Sequence, residues 1–103
     1  MRWALAALVT LALAGCGEGA GGAPAARGRT VYFAQCTTCH ATDPARSGPV
    51  GPPVKGAPRA LLEARLLHAG YPPGYTPKRS SAVMPAMPQL AASIPDLAAY
   101  LAN

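Results

Sequence analysis

Eleven of the twelve prolines in this chain lie between Pro44 and Pro95, and they restrict its fold more than any other feature of the sequence. Proline has no backbone N–H to donate to a β-ladder, and it disrupts the interior of a helix. A β-domain is therefore disfavoured, and so are long helices in this part of the chain. We predict an all-α domain of about three short helices joined by stiff proline-rich loops.

Three segments have the signals of short helices: residues 30–36, 58–68 and 93–102. The second begins with a proline, and Gly70 and Pro72 follow its last residue, as expected at a helix end. In the third, the spacing of Ser93 and Asp96 predicts a capping box. Helices this short are stable only when they are packed, and we expect the third to pack against the first.

The N-terminus has the features of an export signal. Arg2 precedes an 11-residue apolar and small-residue run, Ala4 to Ala14, which is too short for the roughly 20 apolar residues of a membrane-spanning helix. Leu13-Ala14-Gly15-Cys16 resembles the lipobox of bacterial lipoproteins, in which the cysteine carries lipid. The resemblance implies a signal peptide over residues 1–15 and a lipid on Cys16. Plain secretion, with cleavage near Ala14, is the alternative.

The segment after Cys16 has no capacity to form a core. Residues 17–28 contain five glycines, four alanines and one proline. We predict a flexible tether over residues 16–28, with a root-mean-square reach of about 20 Å. The folded domain is then residues 29–103, a chain of 75 residues, and a domain of this size usually needs a disulfide, a metal or a cofactor for stability.

The remaining two cysteines stand in the sequence Cys36-Thr-Thr-Cys39-His40. Cys-x-x-Cys-His is the attachment signal of a c-type haem. Two thiols on one helical turn can each form a thioether with the porphyrin, and the adjacent imidazole can bind the iron. This attachment takes place outside the cytoplasm, in agreement with the export signal. We predict one covalent haem c bound through Cys36, Cys39 and His40.

Two other kinds of site use the same residue types. A thioredoxin-like thiol pair would need a βαβ framework, which the prolines disfavour. A structural zinc site usually needs four Cys or His ligands, and only the distant His68 could complete a set with Cys36, Cys39 and His40.

Residues 28–102 together resemble a class I c-type cytochrome. Gly28 and Tyr32 stand eight and four residues before the first motif cysteine, where the family has a small residue and an aromatic residue. Tyr100 stands where the C-terminal helix of the family carries its partner aromatic. The stretch Gly51-Pro52-Pro53-Val54-Lys55-Gly56 resembles the family's G-P-x-L-x-G segment.

The resemblance also implies a hydrogen-bond partner for the ligand histidine. In the family, the carbonyl of a proline accepts a hydrogen bond from the ring, which orients the ring and tunes its basicity. Pro52, twelve residues after His40, has the family's spacing. Pro49 also belongs to a Gly-Pro pair and is the alternative.

Met84-Pro85-Ala86 resembles the segment that carries the methionine ligand in the family. Met84 lies sixteen residues before Tyr100, a separation that relatives use, whereas Met87 lies thirteen residues before it. Both are followed by proline, so local physics alone does not separate them. The resemblance favours Met84 as the sixth ligand, with Met87 and His68 as alternatives. His68 otherwise suits the last turn of a helix, where a histidine interacts favourably with the dipole.

The loop before the methionines corresponds to a stretch that meets the haem propionates in related folds. Tyr75 and Arg79 are the candidates for that contact, because hydroxyl groups and cations suit carboxylates. A plain surface loop is the alternative.

The resemblance implies a membrane-tethered one-electron carrier, not an enzyme, that moves electrons between respiratory complexes or to a terminal reductase or oxidase. The alternatives are an electron-accepting subunit of a periplasmic dehydrogenase and a ligand-binding haem sensor with a labile methionine. Without residues 1–15 the chain has eight basic and four acidic side chains, which would suit redox partners with acidic docking faces. We expect a monomer on the periplasmic side of a bacterial membrane, with no nucleic-acid partner.

Overall fold

The computed structural model describes residues 22–103. It contains α1 (Gly22–Gln35), α2 (Arg59–His68) and α3 (Ile94–Leu101), with a 3₁₀ helix at Pro88–Ser93 immediately before α3. These residues include no β-strand, and the all-α prediction is confirmed. No helix in this part of the chain has the length and hydropathy needed to cross a bilayer. The predicted signal peptide, Cys16 and the first part of the predicted tether lie outside the described residues.

Helix α1 is longer than the sequence predicts. It begins at Gly22, so residues 22–28 are helical and do not belong to a flexible tether. The physical reason is tertiary contact with the last helix: Gly28 packs against the backbone of Asp96, and Nε and Nη2 of Arg27 donate to the two carboxylate oxygens of Asp96 at 3.0 and 3.1 Å. Packing of this kind stabilises a helix whose glycine-rich composition alone would not.

Helices α1 and α3 cross at Gly28. A Cβ atom at this position would collide with the backbone carbonyl of Asp96 and with Cβ of Tyr100. The missing side chain therefore lets the two helices pack with close backbone contact. One turn further along α1, the buried ring of Tyr32 lies 5.5 Å from the ring of Tyr100, centroid to centroid. The last helix packs against the first, as predicted.

The apolar core is small and comes mainly from the C-terminal part of the chain. Its buried members are Tyr32, Leu66, Leu90, Ile94, Leu97 and Leu101. Helix α2 provides only one of them, Leu66, and other apolar side chains of this helix line a cavity. The small core and the cavity share one wall, because Tyr32, Leu66, Leu97 and Leu101 belong to both.

The helix ends differ in detail from the predictions. Pro58 precedes α2, but Ala69 and not Gly70 adopts the left-handed conformation at its C-terminus, with φ of 53°. The capping box at α3 is wrong, because the side chain of Ser93 makes no capping hydrogen bond. The preceding 3₁₀ helix runs directly into α3, so the backbone of Ser93 is itself helical, and Asp96 binds Arg27 instead.

Candidate functional site

A cavity of about 440 Å³ lies beside the core. Its volume falls within the range of roughly 300–1,000 Å³ that is usual for cofactor sites. Cys36, Cys39 and His40 contribute to its wall, and so do Met84 and Met87. The structure therefore brings the predicted thiols, imidazole and thioethers to a single cavity.

The end of α1 positions the two cysteines and the histidine. The backbone N–H of Cys36 donates to the carbonyl of Tyr32 at 2.9 Å, which continues the helical pattern past Gln35. The N–H groups of Cys39 and His40 both donate to the carbonyl of Cys36, at 3.3 and 2.9 Å. These turns place the thiols of Cys36 and Cys39 and the imidazole of His40 along the same wall. Both cysteines are free thiols.

His40 is buried, and its ring is oriented by a backbone carbonyl. Nδ1 lies 2.9 Å from the carbonyl oxygen of Pro52. Because a carbonyl only accepts, Nδ1 carries the proton and donates it, and Nε2 is left as the nitrogen that can bind a metal. The partner in the structure is thus Pro52 and not Pro49.

The loop that carries Pro52 lies directly on the histidine. The N–H groups of Val50 and Gly51 both donate to the carbonyl of Cys39, at 3.1 and 2.8 Å. A Cβ atom on Gly51 would collide with the ring of His40, and one on Gly48 would collide with the carbonyl of Cys39. Gly48 has no role among the residues predicted from sequence. The signal for Gly48 in the sequence is the repeated Gly-Pro pair in this loop.

The burial of Cys36 does not suit a thiol–disulfide site. Burial raises the pKa of the Cys36 thiol to about 11. A redox-active thiol needs a lowered pKa, since the thiolate is the reactive species. The zinc alternative lacks ligands: residues 22–103 contain no group of three or more His, Cys, Asp or Glu side chains that could hold a metal ion. His68 is exposed at the end of α2 and does not line the cavity.

The two methionines are both half-buried at the cavity, but their backbones differ. Met87 is fixed at both ends: its N–H donates to the carbonyl of Leu66 at 2.7 Å, and its carbonyl accepts from Leu90 at 3.0 Å. Met84 belongs to residues 76–86, which make no backbone–backbone hydrogen bond within the described structure. Its carbonyl instead accepts from Nη2 of Arg65 at 3.4 Å.

Tyr75 and Arg79 both line the cavity, as does Lys78 between them. The Tyr75 ring stacks on the ring of Tyr71, with centroids 5.5 Å apart and planes 9° from parallel. Nη2 of Arg79 donates to the hydroxyl of Ser47 at 3.2 Å, and Nζ of Lys78 donates to the carbonyl of Pro53 at 2.9 Å. Hydroxyl groups and cations are thus available at the edge of the cavity.

Arg65 also lines the cavity, although it is not among the site residues predicted from sequence. Its only sequence signal is its position beside Leu66 in the apolar pattern of α2. The guanidinium lies 4.5 Å from the centroid of the Tyr71 ring.

The cavity fits a haem attached through the two cysteines. It is bounded largely by apolar side chains, and it presents a buried imidazole whose Nε2 is free for iron. It also offers thioether sulfur as a second ligand. The hydroxyl groups and cations suit the carboxylates that a haem carries.

Comparison with known proteins agrees with this geometry. The family model described as Cytochrome c matches residues 25–103, which is most of the chain. The searches of curated proteins and of solved structures returned no match.

Proposed function

This chain belongs to the cytochrome c family, and from that membership we propose that it is a one-electron carrier with one haem c and His40 and Met84 as axial ligands. The family's domain implies a covalently bound haem and haem-based electron transfer. The observation that carries the proposal is the buried His40 ring, which Pro52 orients beside two free thiols. A haem held by both His40 and Met84 would supply one-electron ferrous–ferric chemistry, and its iron would have no open position for a substrate.

Each residue of the site has a defined task in this proposal. Cys36 and Cys39 would form the two thioether bonds. His40 would bind the iron through Nε2, and the carbonyl of Pro52 keeps the ring in one tautomer and orientation. Met84 supplies a neutral, soft sulfur donor, which favours the ferrous state and raises the reduction potential. Tyr75 and Arg79 provide a hydroxyl group and a cation for the haem carboxylates.

The covalent bond is tested by cysteine substitution in cells that attach haem to exported proteins. We expect the wild-type protein to keep its pigment through denaturing electrophoresis and through acid–acetone extraction. Cys36→Ser and Cys39→Ser should each sharply lower the yield of haem-stained protein, and Cys16→Ala should leave the stain in place. Extraction of the pigment from wild-type protein would contradict the proposal.

We also propose that a lipid on Cys16 holds the carrier at the periplasmic side of a bacterial membrane. The support is the sequence Leu13-Ala14-Gly15-Cys16 after a short apolar run. Stable anchoring requires more than one acyl chain, and lipoprotein cysteines carry several. Cys16→Ala should therefore move the cytochrome from the membrane fraction to the soluble fraction after lysis. If the wild-type protein is already soluble after lysis, the anchor is wrong and only export remains.

For partners, we propose redox proteins with acidic docking faces. The support is the charge at the cavity, where Lys55, Lys78 and Arg79 all belong to the wall. Attraction between opposite charges accelerates association and is weakened by salt. We expect Lys55→Glu to slow electron transfer to an acidic redox protein at low salt. Arg46→Glu, a change of the same charge outside the cavity, should have a smaller effect. Equal effects would argue against docking at the cavity.

A further inference from the structure

Residues 76–86 carry the proposed methionine ligand and have little backbone support. They lie between α2 and the 3₁₀ helix, and no residue among them makes a backbone–backbone hydrogen bond in the described structure. The two charged side chains in this stretch, Lys78 and Arg79, bind other parts of the chain through their ends. A ligand on such a segment needs another group to hold its backbone.

Arg65 provides that contact. Nη2 of its guanidinium donates to the carbonyl of Met84 at 3.4 Å. Within the described chain this is the one hydrogen bond made to the backbone of residues 76–86. Arg65 belongs to α2, so the contact connects the ligand segment to a helix that packs on the core.

The guanidinium is itself held by two further contacts. Nη1 donates to the carbonyl of Ala69 at 2.8 Å, at the C-terminal end of α2. The face of the guanidinium lies over the ring of Tyr71, which stacks in turn on Tyr75. The planar, forked shape of arginine makes both contacts together with the bond to Met84, and a lysine ammonium cannot reproduce them.

We propose that Arg65 is a positioning residue that holds the backbone of Met84, and thereby keeps the methionine sulfur on the iron. The inference rests on the proposed function, since it requires Met84 to be the sixth ligand. Residues that orient a metal ligand affect its binding although they do not touch the metal. Arg65 acts through the Met84 carbonyl in this account, and Tyr71 keeps the guanidinium in place.

The test compares Arg65→Lys with Arg59→Lys in the haem-loaded ferric protein. Arg59 is on the same helix and binds Glu63 at 2.8 Å, but it does not line the cavity. Imidazole displaces a methionine ligand, and the loss of the weak far-red iron–sulfur band reports the rate. We expect Arg65→Lys to accelerate displacement roughly tenfold, the scale of one hydrogen bond from a charged donor. Arg59→Lys should leave the rate unchanged.

A second readout separates positioning from general stability. Thermal loss of the helical circular dichroism signal should shift to a similar small extent in the two variants. The inference is wrong if imidazole displaces the methionine of Arg65→Lys at the wild-type rate. It is also wrong if this variant loses its helical signal in parallel with the far-red band. A wild-type protein without the far-red band would refute methionine ligation itself, and the inference with it.

Substitutions at Tyr71 provide an independent test if Arg65→Lys does not fold. Tyr71→Leu removes the aromatic face beneath the guanidinium, so displacement by imidazole should be faster than in the wild type. Tyr71→Phe keeps that face and should restore the slow rate. Equal rates in the two Tyr71 variants would contradict the role given to the ring and to Arg65.

Discussion

At the scale of single residues, Gly51 allows the loop to contact the ring of His40. The loop's N–H groups bind the carbonyl of Cys39, and its next carbonyl, that of Pro52, binds Nδ1 of the ring. A side chain at residue 51 would occupy the space of the imidazole. The orientation of the His40 ring therefore depends on a position that has no side chain.

We predict that Gly51→Ala lowers the stability of the haem-loaded protein, because either the loop or the His40 ring must move. Overpacking of this kind costs about 1–3 kcal/mol in the free energy of unfolding. Gly70→Ala is the matched control: its new Cβ would lie 3.8 Å from the nearest atom, an ordinary contact. Urea unfolding followed by haem absorbance measures both variants. Equal midpoints for Gly51→Ala and Gly70→Ala would contradict the account.

A second prediction concerns Tyr32 and the pH dependence of stability. Its hydroxyl donates to the carbonyl of Ala41, and burial raises its pKa from 10.0 to about 12. Because the pKa is raised in the folded state, the neutral phenol makes its full contribution to the free energy of unfolding below pH 10. That contribution is lost as the pH rises from 10 to 12, because the unfolded chain ionises first.

Comparison of the wild type with Tyr32→Phe isolates this effect. Near neutral pH the free energy of unfolding of the wild type should exceed that of Tyr32→Phe by about 1 kcal/mol, the contribution of one hydrogen bond. The difference should shrink between pH 10 and pH 12 in denaturant titrations. A difference that stays constant across this window would show that Tyr32 does not titrate with a raised pKa.

At the scale of elements, the contact between α1 and α3 depends on Gly28. Alanine normally stabilises a helix relative to glycine by roughly 0.5–1 kcal/mol. Here a Cβ would collide with the backbone of α3, so alanine at residue 28 should destabilise the protein relative to glycine. The structure thus predicts the opposite of what helix propensity predicts.

We expect Gly28→Ala to lower the thermal midpoint and to separate the two helices. Ala34→Gly, at an exposed position of the same helix, should lower the free energy of unfolding only by the ordinary propensity cost of roughly 0.5–1 kcal/mol, and should therefore lower the midpoint less. Circular dichroism melts compare the two variants. A raised midpoint in Gly28→Ala would refute the close packing of α1 on α3.

At the scale of the whole molecule, the sequence predicts best what depends on local chemistry. The spacing of Cys36, Cys39 and His40 predicts a haem attachment site, and the structure places all three at one cavity. The proline content likewise predicts an all-α domain, which the structure confirms. The contact of His40 with Pro52 follows from resemblance and is present in the structure.

Contacts between distant residues are what the sequence pattern misses. Residues 22–28 look like a tether, but Arg27 binds Asp96, 69 positions away, and the helix extends to Gly22. The capping box fails because a 3₁₀ helix, for which no signal was identified, precedes α3. Arg65 contacts Met84 across 19 positions, and no periodicity connects the two.

We propose above all that a single haem, and not the thiol pair, gives this molecule its redox activity. Potentiometric titration of the purified protein, followed by haem absorbance, tests it most directly. One transition with a slope of roughly 59 mV per tenfold change in the ratio of oxidised to reduced protein is the predicted result. The ferric form should also show the far-red iron–sulfur band. A slope of roughly 30 mV, as for a two-electron dithiol, or a titration without change in haem absorbance would contradict the claim.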